Sequence, residues 1–492
     1  MPLIPLNIPA GVYRNGTEYQ ASNRWRDANL VRWHDGALRP IGGWRQFITA
    51  DVNDLCRGTC SWSDNSGNKW LATGSKDALY IMDDEGAIFD ITPVGLTTGR
   101  DDASVFTGFG SLSWGSFEWG TERPETGIVL PATSWACDNW GEYLLALSNE
   151  DGKIYEWQLN TGTAAAVLSN APTGSKSMMV TEERFVFALG AGGDPRKVQW
   201  SDREDNNTWT PATTNQAGDI PLQTTGEILC GVRTKNQSLI LTTQDAHTAT
   251  YQGPPFVYGF EQVGQSCGVV SQHAVASVSA GAMWMGNRAF FLFNGSQVQE
   301  IPCEVSDYVF SDINRDQHSK VFAVVNSRWG EIWWFYPSGS STEIDRYVAY
   351  DYTDNVWTTG NLSRTAGVDL GVFSTPMWLG SDGTIYEHES GRSFDSQTPF
   401  AETGPIALGS GNNIIHVTDL IPDEKTQGDV SVTFKTRYYP NDTEYSHGPY
   451  TPSNPTSVRF NGRQFRMRVE GDATADWRVG IMRVDGKQGG RR

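Results

Sequence analysis

Along the chain, an apolar stretch, a run of small and polar turn formers, and an apolar–aromatic pair recur in that order. The unit runs from Leu71 to Leu79-Tyr80, from Leu144 to Ile154-Tyr155 and from Phe185 to Val198. It returns from Leu239 to Thr250-Tyr251, Met283 to Phe290-Phe291, Ile332 through Tyr347, and Met377 to Ile385-Tyr386. Two copies nearly coincide: Asp151-Gly-Lys-Ile-Tyr-Glu156 and Asp382-Gly-Thr-Ile-Tyr-Glu387. Gly, Asn, Asp and Ser supply the turns, so each unit reads as strand, tight turn, strand. The starting positions 71, 144, 185, 239, 283, 332 and 377 lie 41 to 54 residues apart, except for a first gap of 73. A period near 45 residues with several short strands per unit is the signature of a β-propeller blade. One blade cannot bury both of its faces, so blades must stack around an axis, and the repeated aromatics are expected to pack between them. Six or seven blades fit residues 51–400.

Three stretches depart from the repeat. Residues 94–134 fill the long gap, and their centre, 108–120, alternates Gly with Phe109, Trp114, Phe117 and Trp119. That is too Gly-rich for a stable strand and too aromatic for a plain linker, so an inserted loop or ribbon is predicted. Residues 401–424 shift to Gly, Asn and Thr and read as a connector. From Asp429, strict alternation appears in Val430-Ser-Val432-Thr-Phe434 and again in Phe465-Arg-Met467-Arg-Val469, predicting half-buried strands. The segment from Trp477 to Asp485 reads as a closing strand, and 487–492 as a frayed basic tail. The resulting fold class is all-β: an extended N-terminal basic arm (1–50), a propeller (51–400) and a C-terminal antiparallel β domain (401–492).

Composition agrees. The 492 residues include 52 Gly, 19 Trp, 17 Tyr and 21 Phe, and only 19% are charged. Gly is costly inside helices and aromatics favour a pleated surface, which excludes a helical bundle, a coiled coil or a disordered acidic chain. Against 57 Asp and Glu stand 38 Lys and Arg, a net charge of −19. Tight wrapping of nucleic acid or docking on an anionic membrane is not expected of such a chain. The charge is uneven. Residues 1–50 hold six Arg against three acids, and 459–492 hold eight Arg and Lys487 against four. Two basic ends flank an acidic body. No run of 18 apolar residues predicts a membrane helix, and MPLIPLNIPAG lacks the basic region of a signal peptide. Six scattered Cys, with Cys56 and Cys60 as the one close pair, read as reduced thiols of a protein made in a cytosol rather than a zinc site.

Candidate chemistry is sparse. Seven scattered His form no HExxH, and no GxSxG elbow, P-loop or GxGxxG stands between a strand and a helix. Ser63-x-Asn65-x-Gly67-x-x-Trp70 is similar to the structural turn of sialidase-type propellers, with Asn at the carboxylate position; Ser148-x-Glu150-x-Gly152-x-x-Tyr155 is a looser match. That turn holds a hairpin and does no catalysis. Asp83-Asp84-Glu85-Gly86 and the group Asp202, Glu204 and Asp205 have the oxygen count for Ca²⁺ but no EF-hand spacing, and read as solvated turn acids. No catalytic, cofactor-binding or metal residue is assigned.

The most distinctive stretch is Gly11-Val-Tyr-Arg-Asn-Gly-Thr-Glu-Tyr19, followed by Arg24-Trp25-Arg26-Asp27 and Arg32-Trp33-His-Asp-Gly36 through Arg39-Pro40 to Gly43-Trp44. It resembles the opening of bacteriophage tail proteins of the nozzle family, the tail tubular protein B class of short-tailed phages. The loop at 108–120, Asp90-Ile-Thr-Pro93, Gly253-Pro-Pro255 and the Trp477 to Arg492 close fit the same family in order. The resemblance implies a non-enzymatic structural virion protein, assembled in the host cytoplasm as a ring, usually a hexamer, below the adaptor ring near the portal. Such a ring forms a channel and gate for genome retention and ejection, with double-stranded DNA in transit only. Arg24, Trp25, Arg26, Arg32, Trp33, Arg39 and Trp44 are then the candidate assembly interface, and Phe109, Trp114, Phe117 and Trp119 the candidate gate loop. Removal of residues 1–46 is expected to leave the propeller folded. The alternative is a glycan-binding or glycan-cleaving propeller, such as a tail-associated receptor-binding protein.

Overall fold

In the computed structural model the described residues are 3–52, 54–105, 129–407, 413–423, 430–471 and 476–490. Among them, seven four-stranded antiparallel sheets stand in a ring. Blades 1 to 6 cover residues 59–90, 135–167, 177–221, 228–265, 275–301 and 322–361. Blade 7 takes three strands from 366–388 and its fourth, Trp44–Asp51, from more than 300 residues upstream, with His388 opposite Trp44 and Glu387 opposite Arg45. The innermost strand of each blade lies beside that of the next, and Ala366–Val368 of blade 7 lies beside Thr59–Ser63 of blade 1. The ring is therefore closed, and the blade number is seven.

Each repeat start lies at or near the beginning of a blade's second strand. Lys69–Gly74, Tyr143–Ser148, Val186–Leu189, Gln237–Thr242, Gly281–Met285, Glu331–Tyr336 and Met377–Leu379 are buried along nearly their whole length. A blade is covered by a neighbour on each face, so both sets of alternating side chains are removed from water. The aromatics fill the wedge between blades as expected. Trp157 of blade 2 meets Trp70 and Trp62 of blade 1 at 5.3 and 6.4 Å between ring centroids. Phe187 meets Tyr258 across blades 3 and 4 at 4.8 Å, and Trp333 meets Trp378 across blades 6 and 7 at 5.5 Å.

The turns are held by carboxylates. In blades 2 and 7 the near-identical hexapeptides close the second hairpin alike: Tyr155 donates to Asp151, and Tyr386 to Asp382 at 2.8 Å. In blade 1 the turn carboxylate is Asp64, one position before Asn65; it accepts from Ser66 N and Asn68 N, both at 2.9 Å, and from Trp70 Nε1 at 3.1 Å. Burial acts upward on its carboxyl, but the donated hydrogen bonds together outweigh it and hold the carboxyl below the usual range. Asp83 likewise accepts from Glu85 N and Ala87 N, and Asp205 from Asn207 N and Thr208 Oγ1, as turn acids do.

Nine further strands form two facing sheets. One orders Leu3–Pro5, Arg483–Gln488, Ile415–Ile421 and Thr456–Gly462; the other orders Trp25–Asn29, Phe400–Thr403, Gln464–Gly471, Val430–Arg437 and Tyr445–Tyr450. In Thr456–Gly462 burial alternates strictly, and nearly so in Val430–Arg437 and Gln464–Gly471, because these strands have one face on the core and one in solvent. Phe434 and Phe460 meet between the sheets at 4.8 Å.

The division at 50 and 400 is redrawn accordingly. The strands of the N-terminal arm are paired rather than free: Ile4 lies opposite Val484, Ala28 opposite Ala401, and Val31–His34 forms a hairpin with Ala37–Pro40. The second unit thus combines residues 3–29 with the chain after Phe400. Its closing strand begins at Arg483 rather than Trp477, and Lys487 is paired opposite His416 rather than frayed. An extended segment has unpaired backbone groups, and pairing them with sheet edges satisfies them.

Burial of a large aromatic between blades predicts a measurable cost. Trp157→Ala should lower unfolding free energy by about 3–5 kcal/mol in urea denaturation; a loss below about 1 kcal/mol would show that blades 1 and 2 do not depend on this contact.

Candidate functional site

Arg32 leaves the first hairpin and enters the seam between blades 6 and 7. Its Nε and Nη2 donate to the two oxygens of Glu331 at 2.8 and 2.9 Å, and Nη1 and Nη2 to those of Glu389 at 3.1 and 2.6 Å. All three side chains are under a tenth exposed. Glu331 heads the fully buried strand of blade 6, and Glu389 follows Thr384–His388, the third strand of blade 7. Glu331 also accepts from Trp333 Nε1 at 3.0 Å. Glu389 accepts from Asn326 Nδ2, Trp329 Nε1 and Gly42 N at 2.9, 3.1 and 3.0 Å. One cation thus faces two carboxylates. Burial and then the like charge of Glu389 push the Glu331 carboxyl up, with Arg32 opposing. Burial also acts upward on Glu389, but Arg32 and the donated hydrogen bonds outweigh it and hold its carboxyl below the usual range.

Around this centre the structure places the other sequence-derived interface residues. Trp44 is buried, stacks on His388 at 5.4 Å and donates to Asp395 at 2.6 Å. Trp25 and Trp33 are buried against each other at 5.9 Å. Arg39 pairs with Asp476 at 3.1 Å and lies over the Trp329 ring. Arg24 pairs with Glu304, and Arg26 donates to the carbonyls of Tyr13 and Gly16. These residues do form an interface, but one within the chain. Arg32, Trp25, Trp33 and Trp44 are spent there and are not available to a neighbouring subunit. The expectation that residues 1–46 are dispensable for the propeller is corrected on the same ground: their removal takes part of Trp44–Asp51, the fourth strand that closes blade 7, and leaves Glu331 and Glu389 buried without their cation.

Phe109, Trp114, Phe117 and Trp119 lie outside the described residues. The two legs of that insertion are described. Ser104–Val105 pairs with Val129–Leu130. Ala103 exchanges two hydrogen bonds of 2.9 Å with the Gln317 side chain, and Ala132 N donates to Ser319 Oγ at 3.2 Å. The wholly buried Lys320 ammonium reaches Asp102, the Thr342 carbonyl at 2.6 Å and Glu343 at 3.2 Å, and Glu343 also pairs with Arg57.

These contacts gather at the end of the ring where the inner strands begin. There Ser134, just before blade 2, donates to Gln272 at 2.9 Å, and Gln272, just before blade 5, donates to Ser177 of blade 3 at 3.3 Å. Blades 2 and 5 are as far apart as a seven-membered ring allows, so Gln272 bridges across the axis. Sequence reading had no signal for Gln272, Gln317 or Lys320, whose partners lie far along the chain. Glu331 did carry one: a charge opening the apolar run Ile332-Trp-Trp-Phe-Tyr336. No group of three potential metal ligands is found among the described residues.

No protein-family model matches the chain, and no curated protein matches it. Among solved structures it is similar to virginiamycin B lyase from Staphylococcus aureus (7% identity, TM-score 0.44), over 70% of this chain and 98% of that one. It is also similar to BamB from Moraxella catarrhalis (10%, TM-score 0.38, 75% and 95% covered) and to YCF48 bound to D1 peptide (9%, TM-score 0.40, 75% and 100% covered). These are β-propeller proteins. At such identities and scores nothing about activity follows, and the fold rests on the sheet order given above.

The seam makes a pH-dependent prediction. Arg32→Met leaves two buried carboxylates unpaired, which should cost about 3–5 kcal/mol. Both carboxyls would then titrate above the ordinary 4.5. The folded variant would bind more protons than its unfolded chain, so its stability should fall as pH rises above that value. Urea midpoints of variant and parent between pH 5 and 8 check this; a constant difference would remove the carboxylates from the account.

Proposed function

We propose that this protein is a structural virion component: the nozzle of a short-tailed phage tail, whose copies form a ring through which the genome is held and released. The observation that carries the reading is where the family-like motif falls. Arg32, Trp33 and Trp44 belong to the segment that locks the propeller to the second unit, so the resemblance lies on the elements that set the shape of the whole subunit. A rigid two-part block suits a ring subunit that bears load.

Further observations support it. The propeller axis is bridged by Gln272, Ser134 and Ser177, so a passage for duplex DNA belongs between copies rather than along one propeller. The net charge of −19 per chain makes a wall that repels phosphate, letting DNA slide without sticking. In this reading the partners are other copies, in sixfold array, and the adaptor ring near the portal. The protein acts in the virion tail without a catalytic step.

One observation favours the second reading, a glycan-binding propeller. At the far end of the inner strands of blades 2 to 4 lies a cleft of about 370 Å³ lined by Trp140, Glu182, Arg184 and Arg233, and an aromatic beside charged groups suits a sugar.

Electron microscopy of the purified protein, alone and mixed with adaptor- and portal-containing extract, separates the two. Sixfold rings or capture onto tails are expected. A persistent monomer that binds or cleaves a glycan, with binding lost in Trp140→Ala, would replace the nozzle reading by the second.

A further inference from the structure

A broad cleft of about 730 Å³ opens where the N-terminal segment, strand Trp25–Asn29, blade 5 and the short helix Ser306–Asp312 meet. Four guanidiniums line it: Arg14, Arg26, Arg288 and Arg315. They come from sites up to about 300 residues apart in the chain. In a molecule of net charge −19, such convergence of one sign calls for an occupant of the other.

The ion pairs around the cleft are unevenly satisfied. Arg14 lies 3.6 Å from the Tyr308 ring centroid and pairs with Asp27 at 3.1 Å. Arg26 donates only to backbone carbonyls, at 3.4 and 3.3 Å. Arg288 and Arg315 are exposed, and neither they nor Arg26 has a carboxylate partner among the described residues. The acids nearby are taken up elsewhere: Glu304 by Arg24, Asp312 by Arg346, and one oxygen of Asp307 by Gly16 N at 2.9 Å. Burial and the positive charge of Arg14 both lower the Arg26 pKa, which marks a site where an added anion relieves repulsion.

We propose that this cleft binds a short acidic peptide segment of a partner protein, its carboxylates forked by Arg26, Arg288 and Arg315 and its neighbouring side chains laid on Tyr308 and Phe310. Arg presents paired N–H donors that match a carboxylate in two places. A short segment suits the site better than a nucleic acid strand. Asp307 is the one carboxylate in the lining, set against four guanidiniums; a short peptide's charge ends with the cleft, whereas a strand continues onto a surface that carries Asp316 and the acidic surplus of the chain. The proposal stands on the cleft alone and holds under either reading of function.

Fluorescence anisotropy on the full chain tests it, with a labelled peptide of alternating Glu and Tyr, the same peptide with Gln for Glu, and a single-stranded oligonucleotide of equal charge. The Glu peptide should bind, weakening as salt rises, and the Gln peptide should not. Arg288→Glu with Arg315→Glu changes only exposed side chains and should leave thermal unfolding unchanged. It should weaken the Glu peptide by about tenfold or more, two exposed ion pairs being lost. Equal binding to parent and variant, equal binding of the Gln peptide, or tighter binding of the oligonucleotide would each overturn the assignment.

Discussion

The Arg32 guanidinium lies where three parts of the chain meet: the N-terminal hairpin, blade 6 and the end of blade 7. A ring of blades gains its stability from burying both faces of every sheet, and that is complete only when the last blade meets the first. Blade 7 has three strands of its own and an edge left open until Trp44–Asp51 pairs with it. Arg32 stands a dozen residues before that strand and is bound to Glu331 and Glu389 by four hydrogen bonds. It therefore fixes where the closing strand enters. A buried ion pair is a poor source of net stability beside an apolar packing of equal volume. Its use here is register: an arginine in a socket of two carboxylates has one seat, whereas an apolar hairpin could slide.

The same arrangement couples the two units. Residues before Arg32 pair with the strands after Phe400, and residues after it close the propeller. Leu6, Val12, Trp25 and Trp33 share one continuous apolar core with Trp334 and Trp357 of blade 6 and with Val417, Phe434 and Trp477 of the second unit. Neither the propeller nor the sandwich is a bead on a string.

What could be read in the sequence follows from this packing. The second strand of each blade is buried on both faces, so it is continuously apolar and the seven repeat starts find it. The C-terminal strands have one wet face, so they alternate and are equally plain. The outer strands of blades 1 and 2, Ile88–Asp90 and Ala166–Val167, have two or three residues and no buried position, and leave no pattern. The fourth strand of blade 7 could not be found by period, because it lies upstream of the first blade. Arg24, Arg32 and Arg39 read as a free basic arm because the partners that neutralise them, Glu304, Glu331 with Glu389, and Asp476, are 280 or more residues away. In blade 1 the sialidase-like turn was recognisable, but its carboxylate sits at Asp64, one step from the expected position; only the hydrogen bonds of the turn reveal the shift. The axial bridge of Gln272 joins blades 2, 3 and 5 and has no local signature at all.

If closure by the N-terminal strand holds the structure together, Trp44–Asp51 and Thr384–His388 belong to the same cooperative unit as the inner blades. Native-state hydrogen exchange followed by mass spectrometry measures this directly. The account predicts that peptides spanning both strands exchange only through the global opening that also exposes Tyr143–Ser148 and Glu331–Tyr336. Fast exchange of Trp44–Asp51 while the second strands of blades 1 to 6 stay protected would contradict it, and the ring would then be held by its blades alone.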